Sequence, residues 1–501
     1  SMDEASRRWL ALCLGPVLAV SVYFTLPVAY VLADGTIQPL GPGAHGAAAV
    51  AVWMAVWWMT DVIPVYVTAM LPLALFPLLG TATVDEAAGA YGDPLIFLFF
   101  GGFILALALE RWGLHRRVAL TVLRFVGSRP DHIVGACMGI TAFISLWVTN
   151  TATTLMMLPV ALSVVDTLAR PNTAGESVDP RTEFLGPALM LGVAYAASIG
   201  GMGTMIGTAP NVFVASFITS QLHREISFLD WMLVAMPLVI VLLIAAWCLL
   251  TRGVFRVGRD PLPETRRVLL ELAGALGPVT RAECLTALIF LVTAAAWVFR
   301  GLLVQVSIAS ARPLAGLTDA GIAIGAAVLL FVLPAGTRDH RFLMDWPTAS
   351  RVPWGLLLLF GGGLSLAASF EQTGLADYVA SQGQGLSRLP TWVLVASIAT
   401  VVVFLSELAS NMATAATVVP VVASLAVGAG LPPVPLVLAA CFAASCGFML
   451  PVATPPNAIA YGTGRVTAGQ MARAGFLLNM LGILFITAVT CGIIVPFIGA
   501  K

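Results

Sequence analysis

Apolar runs of bilayer-crossing length recur along this chain, and they leave few folds open. Trp9–Leu32, Trp231–Leu250 and Phe476–Val495 each approach the ~20 residues a helix needs to cross the hydrocarbon core. Inside lipid every backbone polar group has to be satisfied internally, so such runs read as helices. Only 10% of the 501 residues are charged and 59% are hydrophobic, against about 25% charged in soluble domains. Lys and Arg balance Asp and Glu, so no basic surface points to nucleic acid. The expected class is an all-α polytopic membrane protein with the lipid bilayer as its solvent.

Eleven spans are read from the apolar pattern, at about 9–32, 46–61, 65–80, 94–110, 186–219, 231–251, 284–304, 319–335, 353–371, 434–462 and 475–498. The fifth and tenth are broken by Gly and Pro. The stretches at about 133–166 and 391–427 are too long for one helix, and each carries a polar cluster at its middle. They read as two re-entrant hairpins. The first run is too long for a cleaved leader and reads as a retained N-terminal helix within 1–45. The seven cysteines lie in or beside apolar runs with no metal-type spacing and read as packing residues.

An internal repeat organises the rest. Phe100-Gly101-Gly102 recurs as Phe360-Gly361-Gly362. Glu110 with Gly113-Leu114 recurs as Glu371 with Gly374-Leu375. Thr149-Asn150-Thr151-Ala152-Thr153 recurs as Ser410-Asn411-Met412-Ala413-Thr414, and Gly207-Thr208-Ala209-Pro210-Asn211 recurs as Ala453-Thr454-Pro455-Pro456-Asn457. Four matches in one order divide the chain into a first repeat at 46–251, a cytoplasmic linker at 252–283 and a second repeat at 284–498. Half-and-half repeats of this kind are a transporter architecture. Loop charge then predicts that the halves are inverted. Arg111, Arg116, Arg117, Arg124 and Arg129 follow the first Phe-Gly-Gly span, whereas the equivalent stretch after the second carries only Arg388. Basic residues favour cytoplasmic loops. Arg7, Arg8, 252–281, 338–351, Arg465 and Arg473 then fall inside with the N-terminus, and Lys501 outside.

The polar clusters are the candidate site. Hydroxyl and amide oxygens are hard ligands suited to cations like Na⁺, while the Asn amide and Thr hydroxyl can donate to a carboxylate. Each hairpin tip also opens a returning half-helix, expected over Ala152–Val160 and Ala413–Val421, whose free N–H groups favour an anion. The broken spans offer freed carbonyls, with new half-helices expected from Asn211 and Asn457. Bland roles compete elsewhere. The Phe-Gly-Gly pairs read as packing, Trp53, Trp57 and Trp58 as packing or the membrane interface, and Asp61 as interfacial structure at a helix end. Glu407 reads equally as a functional group and as a hydrogen-bond acceptor for a neighbouring helix.

In these paired words the chain, from about Val52 to Val495, resembles the divalent anion:sodium symporter family, in its di- and tricarboxylate carrier branch. The segments SLWVTNTATTLMMLPV, FLSELASNMATAATVVPVV and SCGFMLPVATPPNAIAYG look like the family's paired hairpin motifs and C-terminal signature. The resemblance implies one Na⁺ site from Ser145, Thr149, Asn150 and the Gly207 carbonyl, and a second from Ser406, Ser410, Asn411 and the Ala453 carbonyl. It implies that substrate carboxylates meet Asn150, Thr151, Thr208, Asn411, Met412, Thr454 and Pro455. Two positions depart from the pattern. Thr149 replaces Ser and keeps the hydroxyl. Met412 stands where some members carry Thr and has no hydrogen to donate, which leaves backbone N–H groups to serve there.

The expected function is secondary active transport without enzyme chemistry: Na⁺-coupled symport of a small dianionic carboxylate such as succinate, malate or fumarate, with Na⁺ as co-transported ion. Half-helix dipoles contribute only about 0.3–2 kcal/mol each, and the site sequence holds no Lys or Arg. Bound cations would complete its charge and thereby link the two binding events. The resemblance further implies a homodimer in a bacterial plasma membrane. Early helices of each repeat would form a scaffold, and the hairpins with later helices a transport domain that moves as an elevator, with 111–130 and 372–390 as linking arms. The competing readings are a Na⁺-independent dicarboxylate exchanger, a Na⁺-coupled sulfate or citrate carrier, and, least expected, an anion channel.

Overall fold

The computed structural model describes residues 4–32, 34–168, 184–260, 263–307, 311–336 and 342–499. Among them, seven helices are long and apolar enough to cross a membrane, including Phe228–Val254, Arg281–Leu303 and Ala468–Ile498, and six shorter apolar helices accompany them. The span expected at 65–80 is two helices in series, Val65–Thr68 and Leu71–Leu79. The linker contains a helix, Pro263–Gly274. Residues 338–341 of one basic stretch, and Lys501, lie outside the described residues.

The first run departs from expectation. Its helix is Glu4–Thr25, and the remainder to Leu32 is not helical. Pro27 cannot supply the next backbone donor, and the chain instead forms an antiparallel pair, Ala29–Val31 with Ile37–Pro39. Asp34 Oδ1 accepts from the Thr36 N–H at 2.9 Å, and Gly35 takes φ +84° at the turn, a conformation glycine adopts without a Cβ penalty.

The two repeats have the same build. In the first, the helices Pro130–Ser145 and Asn150–Leu168 form a hairpin that packs on both sides of Leu185–Gly201. In the second, Thr391–Ser406 and Asn411–Gly428 enclose Pro433–Ala444 in the same way. All of Leu185–Gly201 is buried, so this helix is apolar all round, as a helix with no solvent or lipid face should be. Glycine permits the close packing. A Cβ on Gly200 would lie 2.3 Å from Ala142 O on the hairpin arm.

Both core helices unwind, and shorter helices resume at Ala209–Ser220 and Pro455–Gly462. Each of these packs against the other repeat's hairpin: Ala209–Ser220 on Asn411–Gly428, and Pro455–Gly462 on Asn150–Leu168. Gln221 and Leu222, just past the first, share a cavity wall with Ala423, Ser424 and Val427 at the base of the second hairpin. Arg465, just past the second, pairs at 2.6 Å with Asp166 at the base of the first. Each short helix thus starts at its own repeat's break and ends at the base of the other repeat's hairpin, as inverted repeats require.

The Phe-Gly-Gly words are packing elements. Pro94–Arg111 lies against Asp319–Val332, where a Cβ on Gly101 would come within 2.6 Å of the Ala323 backbone. On Trp354–Gln372, a Cβ on Gly361 would meet the Tyr91 ring at 2.2 Å. Trp58 is buried, with its indole N–H donating to Val65 O at 3.0 Å, and Asp61 ends Pro42–Thr60 in a left-handed conformation.

Candidate functional site

The returning hairpin helices begin at Asn150 and Asn411, two residues earlier than expected. The tip residues are their caps. Ser410 Oγ accepts from Ala413 N at 3.1 Å, and Thr149 Oγ1 from Ala152 N at 3.4 Å. Such caps satisfy amides that the helix itself cannot. The half-helices after the breaks likewise start early, at Ala209 and Pro455, with Thr208 and Thr454 as N-caps. Pro fits just inside a helix start because its missing N–H would be unpaired there anyway. Thr454 Oγ1 accepts from Asn457 N at 3.4 Å, whereas the Thr208 side chain makes no cap bond.

At the first tip Ser145 Oγ lies 2.7 Å from Ala197 O on the core helix and 2.9 Å from Asn150 Oδ1. At the second, Ser406 Oγ lies 2.5 Å from Ala444 O and 2.9 Å from Asn411 Oδ1. The repeat thus extends from sequence words to individual hydrogen bonds. Gly207 closes the first cluster: a Cβ there would sit 2.4 Å from Gly201 O and 2.9 Å from Ser145 O. In the second, Gly447 fits between Ser406 O and Ala453 Cβ, each about 3.3 Å from its would-be Cβ. Ser145, Asn150 and Gly207 are therefore brought together, as are Ser406, Asn411 and Ala453.

The remaining residues divide by exposure. Thr149, Asn150, Thr151 and Asn411 are half-buried, Ser410 and Pro455 are exposed, and Thr208 and Thr454 are buried. Met412 is buried within the apolar core, while its counterpart Thr151 is half-buried. The two tips also differ in what surrounds them. Trp147 packs against Phe228, Phe290 and Trp297. The equivalent Leu408 is 70% exposed.

Glu407 resolves to the structural role. Its carboxylate accepts from Met449 N at 2.9 Å, Leu450 N at 3.0 Å and Asn479 Nδ2 at 2.7 Å, and so holds the second break to the second tip. The first break is held by neutral groups. Thr204 Oγ1 donates to Leu146 O, and the Trp231 indole N–H donates to Met202 O at 3.1 Å. Tyr195 joins the halves, its hydroxyl donating to Phe448 O at 3.0 Å. The roles of Thr204, Tyr195 and Trp147 escaped the sequence reading because none is written in local spacing.

A family model described as the sodium:sulfate symporter transmembrane region matches residues 16–496. The chain belongs to that family, the divalent anion:sodium symporters whose motifs it resembles. Sodium-dependent dicarboxylate transporter SdcS of Staphylococcus saprophyticus is 36% identical over 479 residues, covering 94% of this chain and 91% of that protein. SdcS of Staphylococcus aureus strain RF122 is 38% identical over 445 residues, covering 88% and 84%. Two solved structures share the fold at 14% identity. They are MtrF of Neisseria gonorrhoeae (TM-score 0.57, covering 98% of this chain and 95% of that one) and the YdaH transporter of Alcanivorax borkumensis (TM-score 0.59, 98% and 99%). This divalent anion:sodium symporter is a multi-pass integral membrane transporter and not an enzyme.

Proposed function

We propose that the protein is a secondary active symporter that couples Na⁺ to the uptake of a C4-dicarboxylate, as the names of its SdcS relatives suggest. One observation carries the reading: two matching oxygen clusters, Ser145 with Asn150 and Ser406 with Asn411. Each serine has one hydroxyl proton and two oxygen neighbours. With the Asn oxygen facing the serine, one oxygen–oxygen contact per cluster lacks a proton between its members, and a hard cation relieves that repulsion. Thr149 and the Gly207 carbonyl complete the first cation site, Ser410 and the Ala453 carbonyl the second.

The substrate carboxylates occupy the space between the tips. There they accept from Asn150, Thr151, Asn411 and the Thr208 and Thr454 hydroxyls, with Pro455 and Met412 shaping the wall. No Lys or Arg occurs in either tip or break, so the cations supply the positive charge the dianion requires. Anion and cation binding are then reciprocal. The N-terminus and linker lie in the cytoplasm of a bacterial cell and the C-terminus outside. The scaffold comprises the early helices of each repeat, and the hairpins and broken helices move against it as an elevator within a homodimer. Leu114–Leu123 and Leu375–Gln382 serve as the arms, each set at its angle by a left-handed glycine, Gly113 or Gly374.

The test is uptake of labelled succinate into proteoliposomes with and without an inward Na⁺ gradient. Uptake that follows the gradient and is competed by malate and fumarate is expected. Equal uptake without Na⁺, or competition by sulfate alone, overturns the reading in its coupling or in its substrate.

A further inference from the structure

Two asparagines that belong to neither oxygen cluster occupy equivalent places behind them. Asn211 and Asn457 are fully buried, each three residues after the N-cap of its post-break helix. Asn211 Nδ2 donates to Gly201 O at 2.9 Å, Thr204 O at 2.7 Å and Met202 O at 3.3 Å. Asn457 Nδ2 donates to Gly447 O and Leu450 O, both at 3.0 Å. Where a core helix unwinds, its last carbonyls lose the amides that would have bonded them. Asn211 replaces that donor for Gly201 O, at the end of its core helix, and both asparagines bridge carbonyls of the unwound segment beyond the helix.

The carbonyls held in this way lead to the cation clusters. Gly201 lies so close to Asn150 that a Cβ would come within 2.1 Å of Asn150 Oδ1, and its own carbonyl faces Gly207. Gly447, gripped by Asn457, lies against Ser406 and Ala453. Each asparagine therefore reaches a cluster through a single glycine. Their carbonyl oxygens differ. Asn211 Oδ1 accepts from the Cys441 thiol at 3.5 Å, whereas Asn457 Oδ1 is buried with no hydrogen-bond partner among the described residues. A buried acceptor left unpaired costs about 1–3 kcal/mol, so packing alone is a poor account of an amide at this position.

We infer that Asn211 and Asn457 are positioning residues that set the geometry of the first and second cation sites respectively, acting through Gly201 and Gly447. The inference rests on the Na⁺-coupled reading above. It predicts a specific kinetic signature. Displacing a cation ligand weakens cation binding and leaves the transport machinery intact once cation is saturating.

The experiment compares the Asn211→Ala, Asn457→Ala, Asn211→Ser and Asn457→Ser proteins in proteoliposomes. Na⁺ half-saturation, succinate KM at saturating Na⁺ and maximal rate per folded molecule are measured for each, with size-exclusion profiles to count folded protein. Each alanine variant should raise Na⁺ half-saturation tenfold or more, with maximal rate and KM within about twofold of the parent once Na⁺ saturates. Serine restores one donor and should recover part of the Na⁺ affinity. It also serves as the test protein wherever the alanine form does not fold. Wild-type Na⁺ half-saturation in folded variants, with only the maximal rate reduced, overturns the positioning role and leaves the coupled reading standing. A parent protein whose uptake ignores Na⁺ overturns the coupled reading and the inference with it.

Discussion

Replacing Gly201 by alanine places a methyl group 2.1 Å from Asn150 Oδ1 and 3.0 Å from its Cγ. Carbon and oxygen do not approach so closely, and the Asn150 amide has to retreat by about 1 Å to restore contact distance. It cannot do so freely. Its oxygen is 2.9 Å from Ser145 Oγ, and Asn150 opens the returning hairpin helix, where Thr154 Oγ1 bonds its carbonyl at 2.7 Å. Overpacking of this kind costs about 1–3 kcal/mol. If that cost falls on the bound state, Na⁺ half-saturation rises by about 5- to 150-fold, at 1.4 kcal/mol per factor of ten. The assay is succinate uptake by proteoliposomes over a Na⁺ series, with folded protein counted by size exclusion. Gly139→Ala is the control, since Gly139 lies on the hairpin arm that carries Ser145 with open space around its would-be Cβ and alanine there favours the helix by about 1 kcal/mol. A folded Gly201→Ala protein with parental Na⁺ half-saturation would refute the placement of the Asn150 amide as a cation ligand.

Three further outcomes test other parts of the structure. Gly101→Val forces apart Pro94–Arg111 and Asp319–Val332 at the Ala323 backbone. It should destabilise the purified protein by about 1–3 kcal/mol, read as a lowered melting temperature; an unchanged melt would place the helix contact elsewhere. Glu407→Gln keeps the one oxygen that serves Asn479 and Met449 but leaves the Leu450 N–H unserved, at about 1–3 kcal/mol. A melting temperature equal to the parent's would remove Glu407 as the clamp of the second break. Outside the membrane, the Thr348 hydroxyl and N–H, with Arg111 nearby, hold the Asp345 carboxyl below the ordinary aspartate range. A depressed carboxyl contributes above its unfolded-state pKa and loses that contribution as pH falls through the folded one. Thr348 amide protection from hydrogen exchange, corrected for the intrinsic rate, should therefore fall on acidification below the usual aspartate range, and constant protection there would rule out the bond to Asp345.

Much of the fold was legible because it was written twice. The tip words centred on Asn150 and Asn411, and the break words ending at Asn211 and Asn457, mark the same four backbone events seen in the structure. The helix starts were misplaced by two residues for a local reason. Asn150 and Asn411 are polar and looked like loop, yet each is the first residue after a capping hydroxyl. Pro27 stops the first helix short of Leu32 although the apolar run continues through it. What could not be read was anything carried through space. Nothing near Glu407 in sequence announces Met449, Leu450 and Asn479, and nothing near Trp147 announces Phe290 and Trp297. Asn211 and Asn457 lay inside the quoted words, but their partners are carbonyls, which every residue possesses and no spacing can single out.

The exchange of post-break helices has an evolutionary reading. Each repeat lends its last short helix to the other's hairpin, as two protomers do in a swapped dimer. Neither repeat alone can cover its own hairpin, so a half expressed by itself should be degraded, while two halves supplied as separate polypeptides should find each other. An ancestor of half this length would have needed two copies inserted in opposite orientations. The segment 252–283 would then be the tether that made that antiparallel partnership permanent, and once tethered the copies were free to diverge, to Trp147 and Thr151 in one and Leu408 and Met412 in the other.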